Sequence, residues 1–372
     1  MVDIGSVFLY TKNEGKVLKM FKLKKLPPNY NFDTIEILRQ LSLSHKALAE
    51  LKGYSEVVPN KNILINAAMI NEAKNSSEIE NIVTTHDEIY KALSTNKGTL
   101  ASKEVINYRS ALWMGYELIR ENGFLSTNMI VKIQKAIENS EAGIRTTPGT
   151  TLKNERTGEV VYMPPQSHSE IIDLMNNLEK YINNDHEIDD LIKLAIIHYQ
   201  FESIDPFYDG NGRTGRVINV LYLTLKDLLD SPILYMSKYI NNHKQVYYKV
   251  LQNVRDKNDF ESLVLFKLKA IEETSVSTLN LLKQINSLID EAANEIKEKL
   301  PKIYSKELIE VLFYEFYTKI VYVQEKLNVS RRTASTYLIQ LEEAGFLTSK
   351  MEGREKIYLN NKLFELIKKA DF

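Results

Sequence analysis

The spacing of apolar side chains predicts a chain that is mostly helical. Across long stretches, apolar residues recur at intervals of three, four and seven, which places them on one face of a helix. Only 14 glycines and 9 prolines interrupt the 372 residues, so few breaks are expected. The clearest helical sets are Leu38, Leu41, Leu48 and Leu51, and Ile192, Ile196 and Tyr199.

One segment departs from this pattern. Residues 143–165 read GIRTTPGTTLKNERTGEVVYMPP, in which Thr-rich and Val-rich stretches flank the turn-forming residues 154–158. Pro164 and Pro165 end the second stretch. The segment predicts a β-hairpin inserted among helices.

A second change comes near residue 300. Residues 275–300 have the apolar spacing of one helix, which we expect to end before Pro301. Beyond it we expect a short helix, a turn at residues 328–330, and a longer helix capped by Ser330 and stopped by Gly345. Two short strands around Gly353 would follow. A helix–turn–helix followed by a hairpin predicts a winged helix.

The composition and net charge of the chain limit the kinds of protein that it can be. Apolar residues make up 44% and charged residues 26% of the chain, and the net charge is −1. Contact with nucleic acid or anionic lipid would therefore need a local basic patch. The chain has no cysteine, which excludes disulfides and thiolate metal sites and fits a reducing compartment. Without a signal-peptide pattern or a long apolar run, we expect a soluble, cytoplasmic protein.

Residues suited to ligand binding or catalysis are most concentrated in residues 203–216, SIDPFYDGNGRTGR. Gly210 and Gly212 allow a tight turn, and the apolar run that follows predicts a helix whose first amides form an anion site. Arg213 and Arg216 would project from one side of its first turn, where guanidinium groups match phosphate oxygens. The alternative is a capped helix whose arginines pair with core carboxylates.

Two more side chains of this segment suit a phosphate site. Asn211 can donate from its amide, and Asp209 is placed to hold a divalent cation, Mg²⁺, against the phosphates. The pattern differs from the Walker loop, which needs GxxxxGK[ST].

The segment resembles the motif of the Fic family, HPFxxGNGRxxR, whose members transfer AMP from ATP to protein hydroxyls. Residues 143–165 resemble the family's target-positioning flap, and YMSKYINNHKQVYYKVLQNVR resembles the segment that closes over adenine. The resemblance covers about residues 30–270 in family order. It implies an all-α Fic fold with an inserted hairpin, followed by the C-terminal winged helix. We expect a helical region over 1–100, a Fic core over 101–300 and the winged helix over 301–372.

The resemblance implies ATP as substrate, with Mg²⁺ at Asp209. Tyr247 would contact adenine, although tyrosines more often serve packing. The exposed edge of the flap's second strand would pair with an extended target segment. The residues assigned to the nucleotide are Gly210, Asn211, Gly212, Arg213, Thr214, Gly215, Arg216, Tyr162, Met163 and Tyr247.

A regulatory pattern precedes the core. NSSEIENI, residues 75–82, fits the family's inhibitory pattern [ST]xxxE[GN] with Ser76, Glu80 and Asn81. The resemblance implies that Glu80, on an inhibitory helix spanning about residues 70–90, pairs with Arg216 and leaves ATP in an unproductive pose. The alternative is a solvated acidic helix face.

One position departs from the family motif. Asp205 stands where the family has its catalytic histidine. A carboxylate with a reference pKa of about 3.9 is a weaker base than imidazole at about 6.5. We therefore expect intact nucleotide binding and transfer slowed by about one to three orders of magnitude. His198 lies two helical turns earlier, roughly 10 Å away along a helix, and is assigned a structural role.

The preferred interpretation is a protein adenylyltransferase acting on Ser, Thr or Tyr hydroxyls, including its own. The rival is a catalytically impaired nucleotide-binding regulator, whether Asp205 is natural or introduced, acting on DNA or a protein partner. A third possibility is another phosphate-containing donor.

The predicted winged helix offers a limited basic surface for DNA, and a homodimer is also possible. Several glutamates dilute its positive charge, and a docking or dimerisation module is the alternative. The candidate DNA-contacting cations are Arg331, Arg332, Lys350, Arg354 and Lys356.

Overall fold

The computed structural model describes residues 8–10, 17–19, 22–57, 61–95, 98–153, 158, 160–185, 187–352 and 355–369. The chain divides into two compact units that alternate along the sequence. The first unit contains residues 1–41, 111–225 and 245–268, and the second contains 42–110, 226–244 and 269–372. The domain limits near residues 100 and 300 stay predictions.

Helices make up most of the described residues, as the apolar spacing predicts. The sets around Leu48 and Ile196 lie within α1 and α7. The helices are α1 (Ile35–Val57), α2 (Lys61–Ile79), α3 (His86–Thr95), α4 (Leu100–Asn122), α5 (Thr127–Glu138), α6 (His168–Asn183), α7 (Asp190–Ile204), α8 (Asn211–Leu225), α9 (Ser237–Asn242), α10 (Lys244–Lys257), α11 (Phe260–Lys299), α12 (Lys306–Tyr314), α13 (Ile320–Leu327), α14 (Arg331–Glu343) and α15 (Asn361–Lys369).

Seven short strands complete the described elements. They form two hairpins in the first unit and a three-stranded sheet in the second. The strands are β1 (Phe8–Tyr10), β2 (Val17–Lys19), β3 (Leu152–Lys153), β4 (Val160–Tyr162), β5 (Tyr317–Lys319), β6 (Thr348–Glu352) and β7 (Glu355–Leu359).

Helix α7 forms the centre of the first unit. Its residues from Leu191 to Phe201 are buried on every side, as expected for a core helix that is apolar all round. Lys193, although buried, donates its ammonium hydrogens to the carbonyl oxygens of Ile182 at 3.3 Å and Asn184 at 2.6 Å. This lysine therefore satisfies carbonyls at the C-terminal end of α6.

The predicted flap hairpin is confirmed. Strands β3 and β4 are antiparallel, with Leu152 opposite Tyr162 and a register shift before Lys153 meets Val160. Gly158 has a φ of 70°, which suits a residue without a side chain. Residues 154–157 of the predicted turn lie outside the described residues.

The expectation of one helix across residues 70–90 is wrong. Helix α2 ends at Ile79, because Asn81 adopts a left-handed φ of 62° and the Ile82 N–H donates to the Ser77 carbonyl at 3.0 Å. The Asn81 N–H donates to the Glu78 carbonyl at 3.0 Å, which completes a Schellman cap.

Helix α3 then starts afresh from a reciprocal cap. The Thr85 N–H donates to the Glu88 carboxylate at 3.0 Å, and the Glu88 N–H donates to the Thr85 hydroxyl at 3.2 Å. This is a capping box with the pattern T-x-x-E, which can be recognised from the sequence alone.

The C-terminal elements follow the predicted order. Residues 275–299 belong to the longer helix α11, which ends before Pro301 as expected. The Ser330 hydroxyl accepts from the Thr333 N–H at 3.1 Å at the start of α14, and Gly345 follows the helix with a φ of 82°. The sheet order is β5–β7–β6. The winged-helix assignment stays a prediction, and Gly353 and Arg354 lie outside the described residues.

Helix α5 yields the first testable prediction, since it carries Gln134 and Glu138 to the candidate site. The Ser126 hydroxyl accepts from the Met129 N–H at 3.3 Å. Ser126→Ala removes this cap, and we expect the free energy of unfolding measured in urea to fall by about 1 kcal/mol. Asn128→Ala, which shortens an exposed side chain two positions later, should change it by no more than about 0.5 kcal/mol. Equal losses in both variants would contradict the assigned cap.

Candidate functional site

The candidate site lies where α7 ends and α8 begins, within the first unit. Asp205 caps α7 in a left-handed conformation, with φ 49° and ψ 59°, and its N–H donates to the Phe201 carbonyl at 3.0 Å. Its side chain is buried. Aspartate is among the few non-glycine residues that adopt this conformation readily, so the chain turns sharply at this position.

The buried Arg145 guanidinium fixes this turn. It donates to the carbonyl oxygens of Asp205 at 2.8 Å, Ile204 at 3.4 Å and Pro165. The Arg145 N–H also donates to the Pro206 carbonyl at 3.0 Å. Burial lowers the pKa of Arg145, and the negative charge of Asp205 opposes this shift. One side chain thus joins the end of the flap to the end of α7.

The loop that leads into α8 is closed by Asn211. Its side-chain oxygen accepts from the Phe207 N–H at 2.9 Å, and its amide nitrogen donates to the Phe207 carbonyl at 2.9 Å. Gly210 has a φ of 77°, and a Cβ there would overlap the Glu138 carboxylate. Asn211 therefore shapes the loop, and its contact with a nucleotide stays a prediction.

Arg213 forms an ion pair with a core carboxylate. Its Nη2 lies 2.7 Å from Glu138 Oε1, and the two side chains are only 4% and 13% exposed. This is the alternative that the sequence left open for the arginines, and it applies to Arg213. The pair anchors the first turn of α8 to the end of α5.

The residues that follow Arg213 in α8 are buried as well. Thr214, Gly215 and Arg216 lie in the interior of the first unit. A Cβ at Gly215 would press on Glu202 and Phe201, so glycine permits close packing of α8 against α7. Helix geometry leaves the first amides after Gly210 without partners inside the helix, and a helix start of this kind suits an anion. We call residues 210–216 the cradle.

Asp209 is exposed beside the cradle. Its Oδ1 accepts from the Gly210 N–H at 2.7 Å, and its carbonyl accepts from Gln134 at 3.0 Å. Within the described part of the chain, no group of three or more His, Cys, Asp or Glu is placed to hold a metal ion. A single carboxylate fits Mg²⁺ only as a partial ligand set, since this ion usually keeps several waters and bridges to phosphates.

In the flap, Tyr162 is buried rather than presented to solvent. Its hydroxyl donates to the Ser203 carbonyl at 2.7 Å, and the Arg255 guanidinium lies 3.8 Å from its ring centroid. Arg255 also donates to the Ser203 hydroxyl at 3.3 Å. Sequence reasoning assigned no role to Arg255. Its neighbours in the sequence are more open, with Val161 45% exposed and Met163 half-buried.

Tyr247, expected to contact adenine, is buried next to His198. His198 Nε2 lies 2.9 Å from the Tyr247 hydroxyl, and its Nδ1 lies 3.2 Å from the Asn219 amide nitrogen. Burial holds the pKa of His198 well below its ordinary value, and the nearby cations Lys267 and Arg216 lower it further. His198 is therefore neutral at neutral pH and serves as a link between α7, α8 and α10. The adenine contact stays a prediction.

The expected inhibitory residues lie in the second unit, at the end of α2. Ser76 is buried within the helix, while Glu80 is exposed just beyond it and Asn81 forms the left-handed cap. The ion pair expected between Glu80 and Arg216 stays a prediction.

Sequence reasoning also missed Tyr208. This motif residue contacts Thr146 and Thr147, 62 and 61 positions earlier, through its hydroxyl. No periodic or local signal links positions so far apart in the sequence.

Three protein-family models match the chain. The Fic/DOC family N-terminal model matches residues 38–117 and the Fic/DOC family model matches 124–223. The model of the C-terminal domain of SoFic-like protein adenylyltransferases matches 288–363. Together they cover residues 75–82, the cradle and the C-terminal elements.

Two curated proteins share parts of the sequence. A probable protein adenylyltransferase of Aquifex aeolicus is 34% identical over 80 residues, which cover 22% of this chain and 25% of that protein. The protein adenylyltransferase Fic of Aedes aegypti is 26% identical over 174 residues, covering 46% of this chain and 33% of that protein. The chain thus spans only a quarter to a third of the length of these relatives.

Solved structures share the fold. A Fic family protein from Desulfovibrio desulfuricans G20 superimposes with a TM-score of 0.57 and 19% identity, covering 90% of this chain and 98% of that one. Fic-1 of C. elegans gives a TM-score of 0.52 and 18% identity over 65% of this chain and 71% of that one. In the described residues, no helix has both the length and the apolar character to cross a membrane.

The buried pair at the start of α8 gives the second prediction. Glu138→Gln leaves the Arg213 cation buried without its counter-charge, and we expect the free energy of unfolding in urea to fall by about 3–5 kcal/mol. The matched control is Glu141→Gln, because Glu141 is 90% exposed and pairs with Lys135 at 2.5 Å. That substitution should cost no more than about 1 kcal/mol. If the two losses are alike, the pair does not anchor the cradle.

Proposed function

We propose that this chain, which belongs to the Fic/DOC family, is a protein adenylyltransferase that transfers AMP from ATP to a Ser, Thr or Tyr hydroxyl, including its own. The observation that carries the proposal is the cradle: a helix start that follows a glycine turn and contains two buried arginines, joined to the flap through Arg145. The names of the two curated relatives support the same reaction class.

In this reaction the cradle binds the phosphates of ATP. The first amides of α8 and the guanidinium of Arg216 attract the negative oxygens and orient the α-phosphorus. The acceptor hydroxyl, presented beside the flap, attacks that phosphorus; a new P–O bond forms, and the bond to the β-phosphate breaks with release of pyrophosphate. Mg²⁺, held by Asp209 and the phosphates, would neutralise charge on the leaving group.

Asp205 limits the rate of this reaction. The attacking hydroxyl must lose a proton, and a carboxylate with a reference pKa of about 3.9 takes it less readily than imidazole. Its negative charge also opposes the approach of a triphosphate. Binding of ATP depends mainly on positioning and electrostatics, which the cradle supplies. Asp205 therefore lowers the rate of AMP transfer more than the affinity for ATP.

The second candidate is a nucleotide-binding regulator, and Asp205 is the observation that favours it. Its output would run through the C-terminal elements to DNA or to a protein partner. Arg331 and Arg332 are exposed there, but Lys350 pairs with Glu352 at 2.8 Å and Lys356 pairs with Glu342 at 2.9 Å. Because both lysines already have carboxylate partners, a protein partner, such as a second copy, suits this surface better than DNA.

Restoring the histidine separates the two candidates. We expect Asp205→His to raise AMP incorporation from labelled ATP by about one to three orders of magnitude, since a base matched to neutral pH replaces a weak one. Asp205→Asn is the control, because it removes the negative charge without adding a base and should leave transfer slow. Equal rates in the histidine variant and the wild type would support the regulator.

Autoinhibition by Glu80 forms part of the proposal and has its own test. If the Glu80 carboxylate occupies Arg216, then Glu80→Gly frees that guanidinium for the γ-phosphate and should tighten binding of Mg²⁺-ATP in calorimetry. The control is Glu78→Gly, since Glu78 pairs with Lys74 at 3.8 Å on α2 itself. If wild type binds Mg²⁺-ATP measurably and the Glu80 variant binds it with the same affinity, Glu80 does not inhibit nucleotide binding.

A further inference from the structure

A cavity of about 490 Å³ lies within the first unit, between the N-terminal segment 23–29, α7 and the end of α10. A cavity of this size suits a small metabolite. The Gln200 amide donates to the Lys24 carbonyl at 2.9 Å, which fixes the N-terminal segment on α7. Residues 205–216, all of which the structure describes, do not line the cavity. It is therefore distinct from the cradle.

Arg255 lines this cavity as a half-buried cation without a carboxylate partner among the described residues. Its hydrogen bonds go to two neutral oxygens, Gln252 Oε1 and Ser203 Oγ, each at 3.3 Å. Its Nε has no hydrogen-bond partner in the described part of the chain. A charge that is partly removed from water usually has a counter-charge. This guanidinium therefore points to an anion that the chain itself does not supply.

The same cavity is lined by a second buried donor, the hydroxyl of Tyr199. The residue is only 2% exposed, and its hydroxyl has no hydrogen-bond partner among the residues described. Ser203 and Arg255 lie near the hydroxyl but outside hydrogen-bond geometry. Burial raises the pKa of Tyr199, so the hydroxyl keeps its proton at neutral pH and stays a donor. An oxyanion in the cavity would satisfy it.

The charged side chains around the cavity are mostly cationic. Four cations and one carboxylate, Asp256, line it. Asp173 pairs with Lys25 at 2.8 Å, which leaves a surplus of two positive charges. Outside the lining, Asp259 offsets part of the charge of Lys257. The lining cations are Lys24, Lys25, Arg255 and Lys257.

We infer that this cavity binds a small dianion, a metabolite that carries phosphate or carboxylate groups, through Arg255, Tyr199, Lys24 and Lys257. A guanidinium group matches both kinds of oxyanion with parallel N–H donors, and the tyrosine hydroxyl adds a neutral donor. The two lysines are exposed, and their long side chains can adjust to the ligand. A dianion matches the surplus charge better than a monoanion does. The inference does not depend on the proposed transfer of AMP.

Arg255 also connects the cavity to the flap. Its guanidinium lies 3.8 Å from the Tyr162 ring centroid and donates to the Ser203 hydroxyl, while the Tyr162 hydroxyl donates to the Ser203 carbonyl at 2.7 Å. An anion in the cavity attracts the guanidinium away from these neutral partners. Because β4 ends at Tyr162, we expect binding of the anion to loosen β4.

Calorimetry on the full-length chain tests the site with two probes, inorganic phosphate and succinate, at about pH 8. We expect wild type to bind at least one of them, and Arg255→Gln to bind it about tenfold more weakly, because a charge-assisted pair is lost. The matched control is Arg120→Gln, which should keep the wild-type affinity. Arg120 is an exposed arginine of the same unit that lies 5.6 Å from the Tyr116 ring centroid and does not line the cavity. The preferred probe indicates whether the natural ligand carries phosphate or carboxylate groups.

A second variant covers the case in which Arg255→Gln does not fold. Lys24→Gln combined with Lys257→Gln changes only exposed side chains. It should weaken binding of the probe by about threefold or more. Wild-type affinity in this double variant and in Arg255→Gln would place the anion elsewhere, for example at the cradle, and would overturn the inference. Failure of wild type to bind either probe would overturn it too.

Hydrogen exchange measured by mass spectrometry tests the connection to the flap. In wild type saturated with the probe, the amides of Val160–Tyr162 should exchange about twofold faster or more, because β4 opens more often. The amides of α5 serve as the internal control and should not change. The effect should be missing in Arg255→Gln. Binding of the probe without any change in β4 would overturn the proposed connection between the cavity and the flap.

Discussion

The buried guanidinium of Arg145 holds together the parts from which the site is built. It donates to carbonyl oxygens at the end of α7 and at the end of the flap, and its own N–H reaches the motif loop at Pro206. A cation in the interior is tolerated only where such partners replace water. Because Thr146 and Thr147 follow it directly, the same anchor sets the position of the Tyr208 hydroxyl.

The affinity for anions that we propose for the cradle would come from unequal sources. Arg213 is already neutralised by Glu138 at 2.7 Å, so its field at the helix start is weak. Under the proposal, the amides at the start of α8 and the charge of Arg216 would therefore carry most of the attraction for phosphate. Arg213 matters chiefly because it fixes the first turn, and Gly210 matters because any side chain there would displace Glu138. Thus Gly210 and Arg213 set the shape of the cradle, whereas the amides of α8 and Arg216 supply its positive charge.

Much of this arrangement could be predicted from the sequence because it is local. Apolar spacing predicted α7, turn residues predicted the flap, and the glycines and arginines indicated a helix start suited to anions. The break between α2 and α3 was missed although Asn81 and the Thr85–Glu88 capping box signalled it, since helical spacing was given more weight than caps. The partners of Arg145, Arg213 and Tyr208 lie far away in sequence, and only packing brings them together.

The charge of Asp205 has opposite consequences for the stability of the turn and for the proposed transfer of AMP. Its negative charge favours the ionised form of buried Arg145, so the carboxylate offsets part of the cost of placing that cation in the interior. A neutral imidazole at the same position would supply a better base but no such compensation. In the proposed reaction, the same carboxylate would weaken proton removal and repel a triphosphate. Asp205 thus favours a well-anchored turn, and under the proposal it does so at the expense of the rate of transfer.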